Sequence, residues 1–307
     1  FKEFKKTKYW EWNFNDDVSF KNNKNTRNEI LGTIENAVNT NLISSVPVST
    51  YLSSGIDSSI ITFFAKKKID SLNTFTIGFQ KPKQGLFDDE TVTAKRIAKY
   101  LKTNHRQFIL NKNCIENCLI DLTQSIENPR LGQSYPNYYA AELASKFNKV
   151  VLSGIGGDEL FGGYPWRYFY SEKKLSHDQF VFEYFKKWQR IINFKELKEL
   201  TGKNLFDEMF GTFYSKFKKK KKYYNQSDYI NHSLEFEAQT FLAGLLSIED
   251  KISMNFSLET RVPFLDNDLV DYIQKIPSKE KILNINSEIN FDEKQYGNKK
   301  NKFSLNN

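Results

Sequence analysis

The chain has 307 residues, of which 39% are hydrophobic and 15% aromatic, enough to bury a sizeable core in one large domain or two smaller ones. No uninterrupted apolar run approaches the roughly 18 residues of a membrane span, and Phe1–Lys6 lacks the apolar stretch of a secretion signal, so a cytoplasmic protein without a membrane partner is expected. The net charge of +8 is concentrated in runs such as Lys216–Lys222, read as a solvated helix face; without an extended basic stripe interleaved with aromatics, it does not argue for nucleic acid.

Residues 1–27 are polar and aromatic, with Tyr9-Trp10-Glu11-Trp12 ahead of an Asn/Asp-rich stretch, and read as a lead-in arm or inter-domain joint. From Asn28 the positions Ile30, Ile34, Ala37 and Val38 recur at helical spacing until Val46-Pro47. Val48–Leu52 reads as a strand, Ser53–Ser58 as a turn and Ile60–Lys68 as a helix. The alternation repeats with a strand at Thr74–Phe79, a helix at Asp89–Leu101 and a strand at Arg106–Leu110. Helices around 113–125 and 137–147 precede a strand at Val150–Ser153 that ends in a glycine-rich turn. This pattern predicts an α/β fold, an open parallel sheet with helices on both faces. Beyond Tyr164 helical patterns around 178–192, 205–222, 230–247 and 267–275 predict a helical subdomain. The two cysteines, Cys114 and Cys118, are spaced i,i+4 on a helix and read as structural thiols rather than a metal site.

Chemistry concentrates at two strand ends. In an open α/β sheet, ligands bind beyond the carboxyl ends of the strands, where a loop runs into a helix N-terminus. In Ser53-Ser54-Gly55-Ile56-Asp57-Ser58 the glycine lets backbone approach an anion, and the serines add hydroxyl donors suited to phosphate oxygens. Asp57 repels phosphate, so it serves either as a helix cap or as a ligand for the Mg2+ that accompanies ATP. A P-loop is excluded because no G-x-x-x-x-G-K-[ST] occurs, and a dinucleotide loop because Glu159 stands where Gly154-Ile155-Gly156 would need its third glycine.

Leu52–Ser58 resembles the S-G-G-x-D-S signature of the PP-loop ATP pyrophosphatases, which include the NAD, GMP, argininosuccinate and asparagine synthetases, with Ser54 in place of one glycine. Val151–Tyr164 is similar to the V-L-S-G-E-G-[AS]-D-E-x-F-G-G-Y segment of the asparagine synthetases, and Ser247–Asp266 to their D-[RK]-x-S-M-x-x-S-L-E-x-R-x-P-F-L-D segment. Phe87–Glu90 lies near the family's Y-D-E and, like Ser247–Asp266, reads as scaffold; Lys302–Asn306 resembles K-x-x-L-R without its arginine. The likeness runs from about Lys8 to Pro277.

The resemblance implies a synthetase domain over 28–307, with a sheet core at about 28–164, a helical part at about 165–290 and the glutaminase domain of the family absent. It further implies that ATP lies across the two loops, that a carboxylate attacks its α-phosphorus to release magnesium pyrophosphate, and that ammonia converts the acyl adenylate to an amide, asparagine when aspartate is the acceptor. Leu52 and Ile77 would flank adenine or ribose; Ser53, Ser54, Gly55 and Ser58 would hold phosphates; Ser153 and Gly154 would hold the nucleotide. Asp57 and Asp158 would share the magnesium ion, Lys302 would approach the phosphates, and Glu159 and Tyr164 would meet the acceptor. Ammonia would come from a separate glutaminase or from solution, and a homodimer is left open. Ile155 stands where the family carries a glutamate that organises aspartyl adenylate formation, so two further readings remain: the same chemistry on another carboxylate, such as a sugar acid, or a degenerate ATP-binding module.

Overall fold

The structure is a computed structural model that describes residues 5–16, 19–80, 90–128, 134–164, 167–168, 171, 173–188 and 194–282. The chain divides into two compact units: Asn22–Asp158 with Ala243–Val270 forms one, and the arm with Glu159–Leu242 and the segment from Asp271 forms the other.

The first unit is built on a five-stranded parallel sheet in the order β3-β2-β1-β4-β7. Its strands are β1 (Val48–Tyr51), β2 (Asn73–Phe79), β3 (Asn104–Leu110), β4 (Val150–Leu152) and β7 (Glu259–Arg261). The fold class is therefore α/β, an open parallel sheet flanked by helices, as the alternating pattern predicts. The central strands are buried because helices cover both faces: every residue of β4 is buried, and so are Val48, Ser49 and Thr50 of β1. α1 (Lys24–Asn41) starts at Asn23, whose side chain accepts from the Thr26 amide at 3.1 Å, and it buries Ile34, Ala37 and Val38. α2 (Ile56–Lys66) and α3 (Glu90–Leu101) follow β1 and β2 as the crossover helices of a doubly wound sheet. α4 (Cys114–Ile126), α5 (Ser134–Ser145) and α11 (Ala243–Asn255) form a helical layer packed with Phe75 and Val151 of the sheet; Cys118, Leu122, Ala141 and Ile252 are at its centre. Cys114 and Cys118 are buried free thiols of that layer.

Within this sheet the strand that the sequence pattern does not mark is β7. Its Glu-Thr-Arg has no apolar residue, and it becomes a strand only because β4 offers a free edge, pairing Val150, Val151 and Leu152 with Glu259, Thr260 and Arg261.

In the second unit an aromatic core replaces the sheet. α7 (His177–Trp188), α9 (Phe206–Tyr214) and α10 (Gln226–Glu237) gather Phe180, Tyr184, Phe217, Tyr224, Tyr229 and Phe236, with Phe180 stacked on Tyr229 at 5.3 Å between ring centroids. α10 begins with a capping box: Asn225 accepts from the Asp228 amide and Asp228 from the Asn225 amide. A two-stranded ribbon of β5 (Leu175–Ser176) and β6 (Tyr223–Tyr224) and the short helices α8 (Phe194–Thr201) and α13 (Ser278–Lys281) complete this unit; α6 (Gly157–Phe161) and α12 (Asn267–Ile273) span the chain boundaries of the two units.

Two readings of this half change. The helical pattern at 205–222 ends at Tyr214, and Lys216–Lys222 is irregular chain leading into β6 rather than a solvated helix face. Three of its lysines form ion pairs: Lys218 with Glu11, Lys220 with Glu235 at 2.5 Å and Lys221 with Asp228 at 2.6 Å. The arm is also seated. Phe14 is buried, the Asn13 amide donates to Gln274 at 2.6 Å, and Asp16 accepts from Asn231 and from the Ser278 amide, each at 2.9 Å.

Candidate active site

The order β3-β2-β1-β4-β7 reverses direction between β1 and β4, because β2 and β3 build outward from one side of β1 and β4 continues on the other. Loops leaving adjacent strands at such a point diverge to opposite faces of the sheet and leave a crevice at the carboxyl edge. The two loops singled out in the sequence leave these two strands: Leu52–Gly55 follows β1, and Ser153–Gly156 follows β4.

The first loop is a hydroxyl-lined turn closed by its own serines. The Ser53 amide donates to Ser58 Oγ at 3.0 Å, the two hydroxyls lie 2.9 Å apart, and the Gly55 amide donates to Ser53 Oγ at 3.0 Å. Ser59 Oγ donates to the Gly55 carbonyl at 2.7 Å. Gly55 is the extended residue before α2, which places Asp57 in the first helical turn. The loop is anchored from below by Thr62 Oγ1, which donates to the Ser58 carbonyl at 2.7 Å and meets Thr50 Oγ1 of β1 at 2.9 Å.

The second loop closes directly on the first. A Cβ at Gly154 would lie 3.0 Å from the Ser58 amide nitrogen, and one at Gly157 would lie 2.6 and 2.7 Å from the carboxylate oxygens of Asp57. Gly156 takes φ +99° against Leu265 and Phe264. Glycines thus admit the Asp57 carboxylate to the backbone that begins α6, the residue before Asp158. The Ser153 amide donates to the Arg261 carbonyl at 2.8 Å, so β7 fixes where this loop leaves the sheet, and Ser153 Oγ accepts from the Ile155 amide at 3.4 Å.

The residues expected at the site fall into three groups. Ser53, Ser54, Gly55, Asp57, Ser58, Ser153, Gly154 and Asp158 all belong to these two loops or to the first turns that follow them, with Ser58 and Ser153 buried. Leu52 and Ile77 belong to the sheet. The Leu52 side chain is buried against Ala94 and Ala98, its amide donates to the Phe75 carbonyl and its carbonyl accepts from Thr76 Oγ1, so its polar backbone groups are already bonded within the sheet; Ile77 is half-buried opposite Phe108. Glu159 and Tyr164 belong to the second unit, where the buried Glu159 accepts from the Tyr164 hydroxyl at 3.2 Å. Beside them the Arg167 guanidinium lies over the Tyr164 and Phe241 rings, 4.2 and 3.9 Å from their centroids. Lys302, with Phe87, Asp88 and Asp89, lies outside the described residues.

Glu90 is a residue that sequence reasoning read only as scaffold. It opens α3, and its carboxyl is pushed above the usual range by desolvation while the Ser54 amide pulls it the other way, which puts a carboxylate against the first loop. Its side chain had no signal beyond the acidic cluster in which it sits. Among the described residues no group of three His, Cys, Asp or Glu side chains forms a metal cage, and no helix is long and apolar enough to cross a membrane.

Fold and loops together define an open, doubly wound α/β protein with a serine- and glycine-lined crevice at its switch point. The chain belongs to the asparagine synthase family, whose profile matches residues 29–300. It is similar to asparagine synthetase [glutamine-hydrolyzing] 1 of Bacillus subtilis, 31% identical over 285 residues, covering 83% of this chain and 44% of that protein. It is also similar to putative asparagine synthetase [glutamine-hydrolyzing] 2 of Methanocaldococcus jannaschii, 37% identical over 161 residues, 51% of this chain and 30% of that protein. The chain thus spans less than half the length of these relatives. Among solved structures, the NH3-dependent NAD synthetase of Campylobacter jejuni aligns with a TM-score of 0.31 and 20% identity, over 45% of this chain and 60% of that one.

Proposed function

We propose that this chain is an ATP-dependent amide-forming ligase that adenylates the side-chain carboxylate of aspartate, releases pyrophosphate, and passes the acyl group to ammonia to give asparagine and AMP. The observation that carries the reading is the interlock at the switch point, where Gly154 and Gly157 bring the second loop against Asp57 and Ser58. In the proposed complex Ser53, Ser54, Gly55 and Ser58 cradle the departing pyrophosphate. Ser153 and Gly154 hold the adenylate, with the backbone at Leu52 and the side chain of Ile77 beside adenine or ribose. Holding both reactants in line is the main catalytic contribution, since a well-oriented pair reacts as an intramolecular one.

Magnesium fits the donor set. Asp57 offers hard carboxylate oxygens against the backbone next to Asp158, and these two carboxylates would hold a Mg2+ that accompanies the phosphates. When bound it neutralises charge on the phosphates. By family resemblance Lys302 approaches the same phosphates, and Glu159 and Tyr164 face the acceptor. Ammonia is delivered by a glutaminase domain or partner, in keeping with the glutamine-hydrolyzing names of the relatives. The free Cys114 and Cys118 suit a reducing cytoplasm.

One residue favours a second reading. Ile155 puts a half-buried apolar side chain beside Ser153, where an acceptor-organising acid is expected, and this suits a different carboxylate substrate. The test is release of AMP and pyrophosphate from ATP with ammonium and a panel of acids. Aspartate-dependent release establishes the first reading, and release only with another acid establishes the second. ATP binding without release for any acid overturns both in favour of a non-catalytic module. Replacing ammonium with glutamine in the same assay reports whether the chain needs a glutaminase partner.

A further inference from the structure

Under the sheet, on the side away from α2, the first unit contains a carboxyl group with no place in the chemistry above. Glu249 of α11 is 7% exposed. Asn137 Nδ2 of α5 donates to its Oε2 at 3.1 Å, and Thr260 Oγ1 of β7 donates to its Oε1 at 3.3 Å. Three side chains, Glu249, Asn137 and Thr260, therefore link α11, α5 and β7, and the hydroxyl of Tyr51, the last residue of β1, is buried with no hydrogen-bond partner among the described residues.

Among the described residues no cation completes this cluster. On α11, Lys251 turns to the Ile126 carbonyl and Glu127, and Asp250 is exposed. On β7, Arg261 bonds Glu259 and the Asn41 and Ile43 carbonyls. On α5, Glu142 pairs with Lys146. On α4, Asp121 accepts from Tyr138, and Glu116 is exposed. The titratable group that faces Glu249 is Tyr51, whose pKa is raised well above the ordinary value by burial and then by Glu249. Burial pushes Glu249 up to about 7, against the opposing hydrogen bonds of Thr260 and Asn137.

The two ends of the cluster are the residues next to the anchors of both loops. Tyr51 precedes Leu52, whose amide donates to the Phe75 carbonyl at 2.9 Å before the chain enters Ser53–Ser58. Thr260 precedes Arg261, whose carbonyl fixes the Ser153 amide. A change in the Glu249 carboxyl therefore reaches the second loop through Thr260 and Arg261, and the first loop where Gly154 and Gly157 bring the second against Ser58 and Asp57.

We propose that Glu249 is a positioning residue for the two loops: protonated, it ties β7 to α5 and α11, and ionised, it breaks that tie and loosens the second loop together with the first loop that it closes on. A carboxylate at this depth has two neutral donors among the described residues to replace its hydration, so ionisation is relieved by admitting water or displacing Asn137 or Thr260. The consequence for nucleotide rests on the reading of the loops as an ATP site.

The test compares hydrogen exchange at residues 52–58 and 153–158 in the chain and in Glu249→Gln, from about pH 5.5 to about pH 8.5, each rate referred to its intrinsic value at that pH. Glutamine keeps the shape and does not titrate. Protection in the chain is expected to fall about tenfold across neutrality and to stay level in the variant; parallel profiles overturn the proposal. Asn137→Asp sets a second carboxyl against the first and is expected to move the transition to higher pH, and an unmoved transition overturns it as well. ATP affinity is measured on the same samples. Affinity that falls with protection in the chain but not in Glu249→Gln supports the coupling to nucleotide. A chain that binds no ATP at any pH overturns the ATP reading, while the exchange profiles still decide the role of Glu249.

Discussion

Asp57 and Gly157 form the contact on which the site depends, and each predicts a separable loss. Gly157→Ala puts a methyl group within 2.7 Å of the Asp57 carboxylate, so the side chain must rotate away or the second loop must retreat. Overpacking of this kind costs about 1–3 kcal/mol, but a misplacement of about 1 Å at a reacting centre costs about 100-fold in rate. The variant is expected to stay folded and to lose pyrophosphate release by that factor, read by circular dichroism and a pyrophosphate assay; unchanged release would mean that the contact is only packing. Asp57→Asn separates a magnesium ligand from a helix cap. Loss of turnover that high magnesium partly restores fits the ligand, whereas a loss of about 1 kcal/mol of stability with turnover intact fits the cap. Residue identity made both loops legible in the sequence, because only a few residue types tolerate a tight turn around an anion. The particular demand on Gly157 was not legible, since it comes from a side chain a hundred residues away in the chain.

At the scale of elements, α2 is held to β1 by a short polar chain inside the core. Thr50 and Thr62 are fully buried, and Thr62 donates to the Ser58 carbonyl, so its hydroxyl oxygen must accept from Thr50. Thr62→Val removes a donor and an acceptor at once, leaving the Thr50 hydroxyl and the Ser58 carbonyl without them. A loss of about 1–3 kcal/mol in urea unfolding is expected, together with weaker ATP binding, because the same bond fixes the loop. The strands β1 to β4 could be read from the sequence because short runs with β-branched or aromatic residues alternate with helical patterns and end in turn residues. β7 could not be read, since a polar three-residue strand is a product of the edge it joins. The Lys216–Lys222 run misled in the opposite direction: lysine favours helix, but ion pairs with Glu11, Glu235 and Asp228 hold it in irregular chain.

For the molecule as a whole, pH acts on the two units through different buried groups. In the second unit the amine of Lys281 has no hydrogen-bond partner among the described residues and lies 4.6 Å from the centre of the Phe14 ring. Burial lowers its pKa from 10.5 to about 7, with Asp16 opposing. Between these two values the unfolded chain holds more protons than the folded one, so this group adds stability as pH rises and its full cost is felt below about pH 7. Lys281→Met is expected to be more stable than the parent below neutrality, with the difference shrinking as pH climbs towards the ordinary lysine value. Denaturant melts over that range check it, and a constant difference would show that the amine is solvated. Composition marks the chain as basic but does not reveal which lysine is buried, because that is decided by the arm carrying Phe14 and Asp16, which reads in sequence as a mere lead-in.

The pairing of β4 with β7 also sets an order of assembly. On the ribosome, β1, β2, β3 and β4 emerge in succession, but the segment that seats Ser153 through the Arg261 carbonyl arrives only after the whole of α7 to α11 has been synthesised. Contacts so distant in sequence close late, after the loop entropy of the intervening chain has been overcome. A nascent chain therefore has its serine loop long before its acidic turn is locked in place. The crevice at the switch point is among the last features to mature, and a polypeptide released before residue 261 would carry most of the sheet but an unfinished crevice.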